Sequence, residues 1–327
     1  QLRKKINVLE VLMSNNKWDE IEVKRITSKA FIKYMKSLQN LNKDGTVRHP
    51  HDVSRIKLAK KVKAELQKAQ ANPAESRLNV KALFPHEIVS KVVTEIPKAI
   101  RETLDAAWSQ FEYDFGEKFK EGIFPPGLSI LDVSGSMSGL PMEAAIALTI
   151  LLSGSIKGEF RNKCITFTNN PKFHTIVNGT LTEKIRNLKT ADWEMSTNFG
   201  KALDLILKTG IKHKLKPEQM PQMLYIFSDM QWDMASCGNS NSYYQSRTPD
   251  KFLTGYDSIK LAYEKAGYPM PHLLFWNFRD TKTSICKSST RGVTKLAGFS
   301  PNLFKAFTSG NFDVNNSTWD TLKDLLN

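Results

Sequence analysis

Asp132, Ser134 and Ser136 place oxygen-bearing side chains at alternate positions of the segment Leu131-Asp132-Val133-Ser134-Gly135-Ser136-Met137-Ser138-Gly139, between a short apolar run and a helical stretch. A carboxylate followed two and four residues later by hydroxyls puts three hard oxygens on one tight loop. Mg2+ takes such ligands in near-octahedral geometry at about 2.0–2.1 Å and keeps several waters. Thr197, in Met195-Ser196-Thr197-Asn198-Phe199-Gly200, and Asp229, closing Tyr225-Ile226-Phe227-Ser228-Asp229-Met230, offer two more oxygens at the ends of other elements. Other chemistries fit these residues less well. An aspartyl phosphotransferase needs a second carboxylate two residues after the first, where Ser134 stands. A serine-hydrolase elbow needs serine at the centre of Gly-x-Ser-x-Gly, and the centre here is Met137. A structural loop with Asp132 and Ser134 capping the next helix is the plain alternative.

Those segments must be delivered by an ordered framework, and from Pro125 onward apolar runs alternate with helical stretches. Strands are expected at 128–132, 164–168, 223–228, 272–278 and 293–297, and helices at 141–152, 181–188, 199–207, 256–266 and 302–307. Strands separated by helices predict βαβ units and a parallel sheet, with ligands bound at the carboxyl ends of strands. Residues 1–122 instead carry apolar residues at three- and four-residue spacing, as in Phe31, Tyr34, Met35 and Leu38. The expected architecture is therefore α/β: an all-helical domain over 1–122, opening inside a helix, then a Rossmann-like doubly wound parallel sheet over 123–327.

Charge adds a second theme. The 327 residues carry a net charge of +14. Up to residue 122 there are 24 basic against 16 acidic side chains, so the shorter helical part is the denser in positive charge. A helix is expected over 52–71, with Val53, Ile56, Ala59, Val62 and Leu66 on its apolar face and Lys57, Lys60, Lys61 and Lys68 mostly on the other. Such a helix is either a solvated packing helix or a surface for nucleic acid. His49 and His51 have no further histidine or cysteine nearby and read as a flexible loop. The three separated cysteines, Cys164, Cys237 and Cys286, suit free thiols in a reducing compartment. Without a bilayer-length apolar run or a signal-peptide pattern, the chain is expected to be intracellular, in the cytoplasm, with no membrane partner.

A carboxylate-x-Ser-x-Ser loop, then a threonine, then an aspartate closing a later strand resembles the metal-ion-dependent adhesion site of von Willebrand factor A domains. The resemblance implies Asp132, Ser134, Ser136, Thr197 and Asp229 as ligands of Mg2+, or of Mn2+ or Ca2+, with one coordination position open to an acidic group on a partner. Glu194-Met195-Ser196 stands where many relatives have glycines, so Ser196 or Thr197 is the hydroxyl that reaches the ion. Further segments, among them residues 227–233, Gly267-Tyr268-Pro269-Met270-Pro271, 274–279 and 296–300, are similar to an uncharacterised family of plants and giant DNA viruses. In that family a helical region related to the TROVE module of the Ro autoantigen precedes the A domain, which implies RNA binding. The leading expectation is a non-enzymatic binding or scaffold protein that engages an acidic protein partner through a divalent metal. The alternatives are RNA binding of Ro type through the helical region and a metal-dependent hydrolase acting on phosphate esters.

Overall fold

The computed structural model describes residues 8–75, 84–93, 98–121, 125–166, 168, 170–191, 199–228, 249–279 and 292–298. These fall in two compact units that divide between Asp114 and Phe115, with Gly179–Thr182 grouped with the first. The expected helix at 302–307, Thr197 and Asp229, and Cys237 and Cys286 all lie outside the described residues.

The first unit is helical, as its periodicity predicts: α1 (Leu9–Ser14), α2 (Ser28–Leu38), α3 (Val53–Ala71), α4 (Pro85–Val93) and α5 (Lys98–Lys120), the last running across the division. Its core gathers Leu12, Trp18, Ile21, Ile26, Phe31, Leu38, Leu58, Val62, Leu66, Ala69 and Ala106. Asp52 caps α3 by accepting a hydrogen bond from the Arg55 N–H at 3.0 Å, satisfying one of the helix's orphan donors. The apolar face expected for α3 needs correcting. Its buried stripe is Leu58, Val62, Leu66 and Ala69, whereas Val53 is 63% exposed. Steps of three fall short of a 3.6-residue turn, so over nine residues Val53 drifts to the side opposite Val62. The segment before α3 is also more constrained than a flexible loop. The Asn40 side chain accepts from the His49 N–H at 3.1 Å and donates to the His49 carbonyl at 3.0 Å.

The second unit is built on a six-stranded sheet, β1 (Gly127–Leu131), β2 (Lys163–Thr166), β3 (Phe173–Thr175), β4 (Met223–Ser228), β5 (His272–Asn277) and β6 (Val293–Ala297), in spatial order β3-β2-β1-β4-β5-β6. All neighbours pair in parallel except β2 with β3. Every residue of β1 and β4 is buried, the signature of central parallel strands. The helices are α6 (Leu140–Ser155), α7 (Leu181–Lys189), α8 (Phe199–Lys212) and α9 (Pro249–Lys265). A core of Leu128, Ile130, Ile165, Leu203, Ile206, Leu224, Ile226, Tyr263, Leu273 and Phe275 joins α8 and α9 to the sheet. The Tyr263 hydroxyl, buried with its ring, donates to the Leu203 carbonyl at 2.9 Å, so a polar atom is satisfied inside that core. The edge strand β3 escapes a sequence reading because three residues are too few to show an alternation.

Candidate functional site

β1 delivers Asp132 to the carboxyl edge of the sheet, where the chain winds one way to β2 and returns on the other side as β4. The ladder extends one step past Leu131↔Phe227, because the Asp132 N–H donates to the Phe227 carbonyl at 3.0 Å. Asp132 thus stands at the topological switch point between β1 and β4, the place where open parallel sheets bind ligands.

Asp132 is 6% exposed, and both oxygens of its carboxylate are held. Oδ1 accepts from the Ser134 N–H at 2.9 Å, closing the loop on itself, and Oδ2 accepts from the Ser228 hydroxyl at 2.6 Å, across the switch point. Among the described residues no basic side chain forms a salt bridge with it. The Ser134 and Ser136 hydroxyls lie 2.8 Å apart, so the two alternate serines turn their oxygens toward one another. A 3-10 turn over Gly135–Met137 makes this convergence, anchored by Met137, which is fully buried. Gly139 then takes φ +85°, a conformation that glycine adopts freely, and admits the chain into α6. From the end of β5, Arg279 donates through Nη2 to the Ser138 carbonyl at 3.3 Å and ties the loop from outside.

Of the five expected ligands, the structure brings together Asp132, Ser134 and Ser136. Asp229 follows Ser228 directly in the chain and Thr197 lies two residues before α8, but neither is among the described residues. Two residues of this edge were missed from sequence. Ser228 was passed over as a strand residue beside Asp229, and its hydroxyl is what fixes Oδ2. Thr168, two residues past the end of β2, is 3% exposed and its hydroxyl has no hydrogen-bond partner among the described residues. Because Leu131 pairs with Thr166, Thr168 belongs to the same sheet edge as the Asp132 loop. No group of three or more His, Cys, Asp and Glu side chains suited to a metal occurs among the described residues. The donor set is instead one carboxylate and hydroxyls. Such hard oxygens suit Mg2+, Mn2+ or Ca2+, not a soft metal, so the residues present fit the expected ion.

The lysines expected at a nucleic-acid surface, Lys57, Lys60, Lys61 and Lys68, are all exposed on α3, and Lys63 joins them. Lys68 faces Glu75 at 3.6 Å across solvent, a pairing that leaves most of its charge available.

A family described as a domain of unknown function, DUF7788, matches residues 127–324, which span the whole sheet and both flanks of the Asp132 loop. The chain belongs to this family. It is also 30% identical over 307 residues to the uncharacterized protein L728 of Acanthamoeba polyphaga mimivirus, covering 93% of this chain and 50% of that protein. The chain therefore spans about half the length of this relative, which meets the expected resemblance to giant-virus proteins. Among solved structures it is similar to the crystal structure of the Deinococcus radiodurans Ro (RSR) protein, with a TM-score of 0.46 and 16% identity over 92% of this chain and 59% of that one. No helix among the described residues is long and apolar enough to cross a membrane.

Proposed function

We propose that this member of the DUF7788 family is a non-enzymatic binding protein whose α/β unit is a von Willebrand factor A-type domain, holding a divalent cation at Asp132, Ser134, Ser136, Thr197 and Asp229. One observation carries the reading: Asp132, a residue 6% exposed and without a basic partner among the described residues, sits at the switch point beside two converging hydroxyls. A buried carboxylate is costly unless something positive compensates it. Its hydrogen bonds from Ser134 and Ser228 compensate it in part, and a cation would complete the balance. The mostly parallel sheet, with Asp132 at its switch point, supports the doubly wound part of this reading.

When bound, Mg2+, or Mn2+ or Ca2+, would supply an open, Lewis-acidic coordination position for an acidic side chain of a protein partner. The chain's own part is to aim the oxygens. Asp132 carries the charge, the Ser134 N–H and Ser228 hydroxyl fix its rotamer, and the 3-10 turn sets the two serine hydroxyls. Calorimetric titration of Mn2+ and Mg2+ tests this. Wild type should bind one ion and Asp132→Ala none, and equal affinities in the two proteins would refute the site. Addition of a phosphate diester to the metal-loaded protein separates the hydrolase reading, which requires turnover.

A second reading concerns α3. With Leu58, Val62, Leu66 and Ala69 buried, Lys57, Lys60, Lys61, Lys63 and Lys68 are left outward along a single helix, a cationic surface suited to an RNA backbone. Replacing Lys57, Lys60, Lys61 and Lys68 by Ala should weaken RNA binding and flatten its salt dependence, while leaving metal binding unchanged.

A further inference from the structure

The sheet's other end carries a cluster that neither reading uses. Two turns meet at its amino edge: Ile156–Asn162, which leads from α6 into β2, and Lys212–Lys216, which leads out of α8. Each dips an apolar side chain into the same core. Ile156 and Phe160 belong to the cluster that holds the sheet to α8 and α9, and Leu215 packs against it. The intervening residues are thereby forced outward around one rim. They are Lys157 and Arg161 from the first turn and Lys212, Lys214 and Lys216 from the second, all exposed.

Closeness of the two turns is shown by Glu159, whose carboxylate lies 3.9 Å from His213 Nδ1 and bonds the Lys163 ammonium at 2.5 Å. The Lys163 hydrogen bond foremost, with the charges of Lys163, His213 and Lys212, holds that carboxyl below its ordinary range. Glu159 is thus engaged by Lys163. Glu218 follows Lys216 by two residues in the chain, and among the described residues none of the five outward cations forms an ion pair with a carboxylate.

Lys214 is the second observation. α8 closes with the Leu215 N–H donating to the Gly210 carbonyl at 3.0 Å and the Lys214 N–H to the Ile211 carbonyl at 3.1 Å. In that arrangement the residue at the position of Lys214 must be left-handed, and glycine or asparagine ordinarily fills it. Lys214 has φ +48°, so a strained backbone position holds a cation where a neutral residue would fit better. The Tyr268 hydroxyl, 2.8 Å from the Leu215 carbonyl and 3.1 Å from that of Gly210, fixes the turn in place.

We propose that this rim is a metal-independent binding surface for the phosphate backbone of a nucleic acid, at the end of the sheet opposite the Asp132 loop. A membrane is the weaker occupant. The apolar face of α8, through Ala202, Leu203, Ile206 and Leu207, is buried, and Ile211, 51% exposed, is the one large apolar side chain α8 turns outward among its described residues. Cations spread over two turns suit a repeating polyanion that meets them one phosphate at a time.

The test uses the full chain with a fluorescein-labelled single-stranded RNA of about 20 nucleotides, in EDTA, with anisotropy read across a salt series. Phosphate contacts release counterions at a slope of about 0.7 per contact for single strands. Replacing Lys157, Arg161, Lys212, Lys214 and Lys216 by Ala should lower the slope by up to about 3.5 and weaken binding, with circular dichroism unchanged. The variant of the four α3 lysines should leave that decrement intact when the two sets are combined. If the five-residue variant fails to fold, Lys212→Gln with Lys216→Gln, both at exposed sites, should lower the slope by about 1.4. The proposal is overturned if either rim variant keeps the wild-type slope, if wild type does not bind RNA, or if it binds phosphatidylserine vesicles in place of RNA. Since EDTA is present throughout, these outcomes are independent of whether Asp132 holds an ion.

Discussion

The two ends of one sheet are built on different rules. At the carboxyl edge the charged atom is buried and each oxygen of Asp132 is held by a named donor. At the amino edge the charges are exposed and only the chain beneath them, at Phe160 and Leu215, is fixed. Ion coordination demands positions good to a few tenths of an ångström, so the loop after β1 is bound to β4 and to itself. Attraction of a polyanion demands charge density alone, so long lysine side chains on a firm base suffice. Placement precision and charge density are thus supplied by opposite edges of the same scaffold.

Both edges depend on the scaffold between them, so its failure has the broadest consequence. A Cβ on Gly127 would meet the Met223 carbonyl oxygen well inside van der Waals contact and come within 2.7 Å of Tyr225 Cε2. Gly127→Ala should therefore cost about 3 kcal/mol, in the upper range for overpacking, and both metal and RNA binding should fall together in denaturant titrations. A variant as stable as wild type would show that β1 can shift relative to β4.

Next comes the buried edge. Asp132→Ala should abolish Mn2+ binding and, without metal, lower stability by about 2 kcal/mol, since it removes the carboxylate that accepts from Ser134 and Ser228. Urea unfolding in EDTA measures this. The rim variants, by contrast, should be stable to within about 0.5 kcal/mol, as expected of surface substitutions. Equal destabilisation in both would erase the distinction between fixed and merely exposed charge.

Lys214→Gly relieves a left-handed residue and should raise stability by about 0.5–1 kcal/mol while weakening RNA binding, so stability and affinity move in opposite directions. Both rising together would remove Lys214 from the interface. The smallest expected effect is a pH dependence. Burial holds the His272 pKa below its usual value, and its Nε2 lies 2.8 Å from the Thr294 hydroxyl. The unfolded state then binds the proton more readily, so stability should decline as pH falls below about 6.5. His272→Gln should reduce that slope in urea titrations between pH 7 and 5 without changing metal binding at pH 7. The buried Cys164 thiol, pushed up to about 12 by desolvation, should stay unreactive toward iodoacetamide at pH 8 until the chain unfolds.

Much of the framework was legible because its signals are local. A continuous apolar run marked β4 at Met223–Ser228, and the segment Val293–Ala297 was also read as a strand, β6, both with the bounds observed. The α3 lysines are exposed, and Val62 and Leu66 are buried as expected, although stepping in threes carried the apolar face wrongly to Val53. β3 was lost because pairing, not periodicity, makes those three residues a strand.

Asp132, Ser134 and Ser136 were fixed as candidate ligands by sequence alone, because a carboxylate with hydroxyls two and four residues on needs only a tight loop to converge. Two things were decided by tertiary structure. The hydrogen bond from Ser228 to Asp132 joins residues 96 apart in sequence, and no local pattern specifies which strand lies beside β1. Likewise, Lys157 and Arg161 share a rim with Lys212, Lys214 and Lys216 only because Phe160 and Leu215 are drawn to one core. Hydrophobic burial is non-directional and sets no partner in advance, so which charges it leaves side by side is settled when the sheet closes over its helices.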